Sequence, residues 1–383
     1  MLTGTMAIAR RIFGAALVVS VLALGVGVVA GPALHPGVAQ AQEAGGVPGG
    51  TLGTASDSEF WREVRGGAQG TVSIPDKKAG VMVQSSGENW RAVRNGPLSR
   101  IGIWLLAGMI VALALFFAAR GRIKIDSGLS GRLIERFNTI ERVAHWLTAG
   151  SFVLLAFTGL NVLYGRYMFA GQAAPSGEFG TLHAIFAVLT YYGKLGHHFI
   201  AFAFMAGLIL TFGLWVRDNI PDRLDLKWLA VAGGLLTKGV HPPARKFNAG
   251  QKIMFWAVIL GGLSLSLSGL SMMFPFTIPL FAKTFAVLNL FGLDLPTAVS
   301  GVQEMQLSQV SHASVALMMA TIIIAHIYIG SLGMEGAFDA MGSGMVDENW
   351  AREHHGLWVA EVRGETPPAA HDGEAGAAAP KQA

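Results

Sequence analysis

The 383-residue sequence contains no cysteine. That excludes disulfides, thiolate-bound iron–sulfur clusters and haem attached through a Cys-x-x-Cys-His motif, so a metal centre here must use histidine, methionine or carboxylate. Charge is scarce too. Only 14% of residues are charged, 52% are hydrophobic, and mean hydropathy is +0.48, a balance unlike that of a soluble domain. Several nearly uncharged windows are long enough to cross a hydrocarbon core of about 30 Å. The chain reads as an integral membrane protein in contact with lipid. Its net charge of +4 gives no ground for a nucleic-acid partner, because basic residues of membrane proteins collect on the cytoplasmic side.

Residues 1–41 read as a signal peptide: Arg10 and Arg11, an apolar run from Ile12 to Ala30, helix-breaking Pro32 and Pro36, then Ala39-Gln40-Ala41 as a cleavage site. Residues 42–100 are an extracytoplasmic Gly-rich segment in which Trp61-Arg62-Glu63-Val64-Arg65 is echoed by Trp90-Arg91-Ala92-Val93-Arg94. An additional transmembrane helix is expected over 101–119. Four more spans follow at Trp146–Tyr164, Phe199–Val216, Ile253–Phe274 and Val310–Leu332, inside a bundle domain of residues 120–340. A cytoplasmic tail occupies 341–383 and is disordered from about 364. Phe179–Leu195 and Phe276–Leu293, broken by charge or proline, read as interfacial helices. None of the spans so bounded carries Asp, Glu, Lys or Arg. The connections 120–144 and 217–252 hold six and seven Lys/Arg, against two in 165–196 and one in 275–308. The richer loops are therefore cytoplasmic, which agrees with an outside location of the mature N-terminus.

Histidine is what this sequence offers for chemistry. His312 and His326 share the last span fourteen residues apart, so their rings leave one helix face at depths about 21 Å apart. The topology sets His145 at the inner level with His326, and His197 or His198 at the outer level with His312. Haem b needs two axial imidazoles held by packed helices and no covalent attachment, and two matched pairs meet that need. Two imidazoles per level under-fill a zinc or copper site. The expected architecture is an all-α membrane protein, a four-helix dihaem cytochrome b bundle plus one N-terminal transmembrane helix. His183 would need some 34 helical residues before Val216, too long for an ordinary crossing. His241, His354, His355 and His371 read as solvated loop or tail residues. Gly159, Gly207, Gly261, Gly262 and Gly269 would allow close approach of a haem edge or of helices. Arg136, Arg142 and Lys252 are placed to pair with inner propionates or to act as positive-inside anchors.

Three stretches carry a family resemblance: Arg136-Phe-Asn-Thr-Ile-Glu-Arg-Val-Ala-His145-Trp146, Asn219-Ile-Pro-Asp222, and Lys246-Phe-Asn248-Ala-Gly-Gln251-Lys-Ile-Met-Phe-Trp256. Over about residues 130–360 the chain resembles the γ, or cytochrome b, subunit of membrane-bound formate dehydrogenase. The resemblance implies haem ligation by His145, His197, His312 and His326, with His197 favoured over His198. It also implies a quinone site at Asn248 and Gln251, whose plain alternative is capping of the following helix. Implied partners are a molybdenum or tungsten catalytic α subunit, which oxidises formate outside the membrane, and an iron–sulfur β subunit. Electrons would then pass through two b haems to quinone near the cytoplasmic face of a bacterial inner membrane. A bare dihaem bundle of this kind would equally serve a hydrogenase or a thiosulfate or related reductase.

Overall fold

The computed structural model describes residues 87–169 and 180–366. The signal peptide, the first Trp-Arg unit and His371 lie outside them. Among the described residues five helices are long and apolar enough to cross a membrane. In chain order the elements are α1 (Gly87–Val93), α2 (Ser99–Arg120), β1 (Leu133–Glu135), α3 (Thr139–Phe169), α4 (Gly180–Trp215), α5 (Arg223–Ala230), α6 (Ala249–Met273), α7 (Leu280–Asn289), α8 (Gly301–Tyr328), α9 (Asp339–Gly342), β2 (Met345–Asp347) and α10 (Glu348–Arg363). The helices α3, α4, α6 and α8 close a ring, each packed on the next, and α2 leans on the outside of α8. Phe152, Phe204, Leu208, Phe255, Ile259, Val315 and Met319 form the interior of the ring.

The helix starts are written into the sequence as reciprocal caps, in which a side-chain oxygen takes the N–H three residues on and receives a bond back. Asn138 and Glu141 do this for α3, Asp222 and Asp225 for α5, Asn248 and Gln251 for α6, and Ser300 and Gln303 for α8. Each such box satisfies backbone donors that the first helical turn leaves without partners.

One end of the bundle carries a folded cap built from the basic connections and the C-terminal segment. There β1 pairs antiparallel with β2, Leu133 opposite Asp347, and α10 packs beneath them. Ile134, Phe137, Trp215, Phe247, Val346, Trp350, Trp358 and Val359 continue the membrane core into this cap. Glu348 holds Arg132, Arg352 and Arg363 at 2.8–3.1 Å.

Several sequence expectations need correction. Phe179–Leu195 is no separate interfacial helix. From Gly180 it is the first half of α4, whose 36 residues run unbroken to Trp215. A helix of that length spans about 54 Å and so projects beyond a hydrocarbon core of about 30 Å. It is supported in doing so by α3, through hydrogen bonds between Asn161 and Thr190. The length argument against placing His183 on this helix therefore fails, although the described side chains do not include it. The spans are also longer at their ends than hydropathy alone suggested, and those ends bury charge: Glu141 on α3, Lys252 on α6 and Glu304 on α8. His355 is completely buried instead of solvated, with Nδ1 2.8 Å from the Arg245 carbonyl, and His354 stacks on Trp350 at 5.1 Å. The second Trp-Arg unit forms α1, which runs through a π turn at Arg94–Leu98 into α2 and packs Val93 and Leu98 against Leu163, Val310 and Leu317.

Candidate functional site

The ring of helices brings the four histidines together in two pairs at its two ends. His312 of α8 faces His197 of α4 with ring centres 6.3 Å apart. His326 of α8 faces His145 of α3 at 6.4 Å. His198 is exposed, one residue round the helix from the ring that faces His312. With metal–nitrogen bonds of about 2.0–2.1 Å, a single metal held between two facing imidazoles would leave their ring centres roughly 6 Å apart. Both pairs have that spacing. Among the described residues no three His, Cys, Asp or Glu gather into a metal-binding cluster. Two imidazoles alone suit a metal that brings its other ligands in a flat macrocycle.

Second partners of the rings differ between the two ends. Thr158 Oγ1 lies 2.7 Å from His197 Nδ1, and Ser268 Oγ lies 2.9 Å from His312 Nδ1. At the capped end His145 Nδ1 is buried and has no hydrogen-bond partner among the described residues. Sequence reading passed over both hydroxyls. The available signal was their position before two glycines it had marked, as Thr158-Gly159 and Ser268-Gly269. A Cβ at Gly159 would stand 3.5 Å from His197 Cε1, and one at Gly269 would stand 3.8 Å from His312 Cε1. Gly207, Gly261 and Gly262 instead admit Thr148, Met319 and Leu208 in ordinary helix packing.

Asn248 and Gln251 lie at the capped end, where α8 brings His326. Asn248 Oδ1 accepts from Gln251 N at 3.0 Å, and Gln251 Oε1 accepts from Asn248 N at 3.1 Å and from Arg136 at 3.3 Å. The amide oxygens are therefore spent on the cap. The NH2 groups make no further hydrogen bond among the described residues, and both side chains are half-buried, so donors remain for a ligand.

The cations proposed for propionates are already engaged. Lys252 pairs with Asp222 at 3.2 Å and Asp225 at 3.0 Å, while Arg142 donates to the Met341 and Gly342 carbonyls. Arg136 is buried under Trp350 and Trp358 and donates to the Lys246 carbonyl at 2.8 Å. Burial lowers its pKa but leaves it charged at neutral pH.

The family model described as prokaryotic cytochrome b561 matches residues 136–344, more than half of the chain and all four helices of the ring. The chain belongs to this cytochrome b561 family. Membership implies haem b, and α1 and α2 precede the matched stretch. Among curated relatives, the nitrate-inducible formate dehydrogenase cytochrome b556(Fdn) subunit of Escherichia coli K12 is 27% identical over 233 residues, 60% of this chain and 92% of that protein. The cytochrome b556(fdo) subunit of formate dehydrogenase from the same organism is 25% identical over 60% of this chain and 93% of its own length. The formate dehydrogenase cytochrome b556 subunit of Haemophilus influenzae is 26% identical over 62% and 87%.

Proposed function

We infer that this chain is the membrane cytochrome b subunit of a formate dehydrogenase and that it holds two b haems, one on His145 and His326 and one on His197 and His312. The observation that carries the ligation is the ring separation, 6.4 and 6.3 Å at the two ends of one helix, in a chain of a cytochrome b family. Bound there, b-type haem supplies one-electron transfer without proton exchange at the metal. The formate dehydrogenase assignment is supported by the names of the relatives. It brings with it an iron–sulfur subunit as donor and a molybdenum or tungsten subunit that oxidises formate.

The chain's own part at the acceptor end falls to Asn248 and Gln251. Their free amide N–H groups would donate to the carbonyl oxygens of a quinone, and the reciprocal cap fixes both side chains in place for it. Arg136, 3.3 Å from Gln251, holds positive charge beside that position and would stabilise negative charge developing on the substrate. The capped end carries the basic connections, so the tendency of basic loops to stay inside sets it in the cytoplasm, where protons for the quinone are drawn. Residues 42–100 would then lie outside, and residues 341–366 are part of the cytoplasmic cap.

A pyridine haemochrome assay on the purified complex tests the reading. Two b haems per chain, both reduced on adding formate, are expected. Absence of haem sinks the ligation, and haem that hydrogen or thiosulfate reduces while formate does not reassigns the partner.

A further inference from the structure

We propose that Thr158 and Ser268 are positioning residues that fix the tautomer of His197 and His312 and so lower the potential of the haem those histidines hold. The proposal rests on that ligation and concerns residues to which the function above gives no role.

Each hydroxyl has one proton to give. Thr158 Oγ1 is 2.9 Å from the Leu154 carbonyl of its own helix, and Ser268 Oγ is 2.7 Å from that of Ser264. With the proton directed to those carbonyls, each oxygen faces its imidazole as an acceptor, so Nδ1 carries the hydrogen. The Nε2 lone pair is then the one left for a metal. The same contact blocks Nδ1 as a ligand atom. The two sites share a plan: the hydroxyl comes from the helix adjacent to the histidine's own, α3 for α4 and α6 for α8, and a glycine follows it beside the ring; at His312 the Leu265 carbonyl is a second acceptor for the imidazole. This repetition on two helix pairs sets the arrangement apart from routine back-bonding of Ser and Thr within helices.

An N–H···O bond at the far nitrogen of an imidazole raises the ring's donor strength and holds its plane. Stronger donation favours the ferric state. Each contact therefore holds the potential of the haem on His197 and His312 below the value it would have without the hydroxyl. At the capped end His145 Nδ1 lacks such an acceptor among the described residues.

Redox titration and low-spin EPR of the detergent-solubilised complex test this, with His312→Ala identifying which haem is which. In Thr158→Val and in Ser268→Ala one haem potential is expected to rise, with a change in its largest g value, while the other stays put. Thr158→Ser and Ser268→Thr, which keep the hydroxyl, are expected to restore both readouts. Should Val or Ala cost the complex a haem, retention in the hydroxyl-keeping partner supports the positioning role, and loss in both variants of a position refutes it. Unchanged potentials and g values in all four variants refute it as well. Retention of both haems in His312→Ala would instead bring down the ligation itself.

Discussion

At the far end of the bundle each imidazole leans on a hydroxyl from a neighbouring helix, Thr158 for His197 and Ser268 for His312. At the capped end the hydrogen bonds go to the helix termini instead. Glu141 takes Trp215 Nε1 at 2.9 Å and Lys246 Nζ at 2.6 Å, tying the start of α3 to the end of α4 and to the segment before α6. Asn219, completely buried, closes α4 through the Trp215 carbonyl and accepts Trp256 Nε1 on its own carbonyl. One end thus fixes its rings directly, the other fixes the helices that carry them. Under the function proposed above, the second arrangement suits the end that would receive quinone, because it holds the framework at the helix ends.

The largest effects should come from the histidines. His326→Ala and His312→Ala are each expected to lose one haem and leave the other, read as half the haemochrome absorbance per chain. The surviving haem in each case shows which end it belonged to. Loss of both haems from either variant would mean that the two ends are not independent.

Asn248→Ser sharpens the comparison at the capped end. Serine is as good a helix cap as asparagine, but it has no amide N–H for a quinone. If the donor matters, quinone reduction should fall about tenfold, the equivalent of one hydrogen bond of about 1–1.5 kcal/mol, with both haems retained. If capping is the whole role of Asn248, turnover will be unaffected.

Much of this was legible in the sequence. Pairing by depth brought out His145, His312 and His326 because a 3.6-residue repeat and a hydrocarbon core of about 30 Å leave few choices. What hydropathy could not see were the helix ends. Glu141, Lys252 and Glu304 fall just outside windows chosen for lacking charge, and their partners come from distant segments. The first half of α4 is hard to read for a related reason: its charge at Lys194 and its length argue against one helix, whereas in the structure it is bonded to α3 through Asn161 and Thr190. The motifs that carry the resemblance also proved to be largely caps and end-locks, at Asn138–Glu141, Asn219, Asp222 and Asn248–Gln251. Thr158 and Ser268 escaped notice because a hydroxyl inside an apolar span ordinarily bonds its own helix.

A smaller effect is expected at the far end from Glu304. Its carboxylate accepts the Phe281 N–H at 2.5 Å, the Ala282 N–H at 3.1 Å and Ser271 Oγ at 3.0 Å, so it anchors the start of α7 to α8. Glu304→Gln keeps the shape but removes the charge and one acceptor, which costs about 1–3 kcal/mol for buried groups left unsatisfied. Hydrogen exchange at Phe281 and Ala282 should speed up, and the haem on His145 and His326 should keep its potential. A change there would break the independence of the two ends.

The smallest effect should be a pH dependence confined to the cap. Burial holds the His355 imidazole well below its ordinary pKa, and the neighbouring Arg136 cation and His354 act in the same direction, although donation to the Arg245 carbonyl opposes them. Unfolding the cap releases this histidine to titrate at about 6.5. Below that pH the unfolded cap binds a proton that the folded cap refuses, so stability is present in full above about 6.5 and declines as the pH falls further. Limited proteolysis within α10 should therefore quicken between pH 7 and pH 5. In His355→Gln, where an amide can still donate to Arg245 but cannot titrate, that pH dependence should flatten while cleavage at pH 7 rises only modestly. The haem potentials at the far end should not follow either change, because His355 acts on α10 and the segment before α6, and neither reaches His197 or His312.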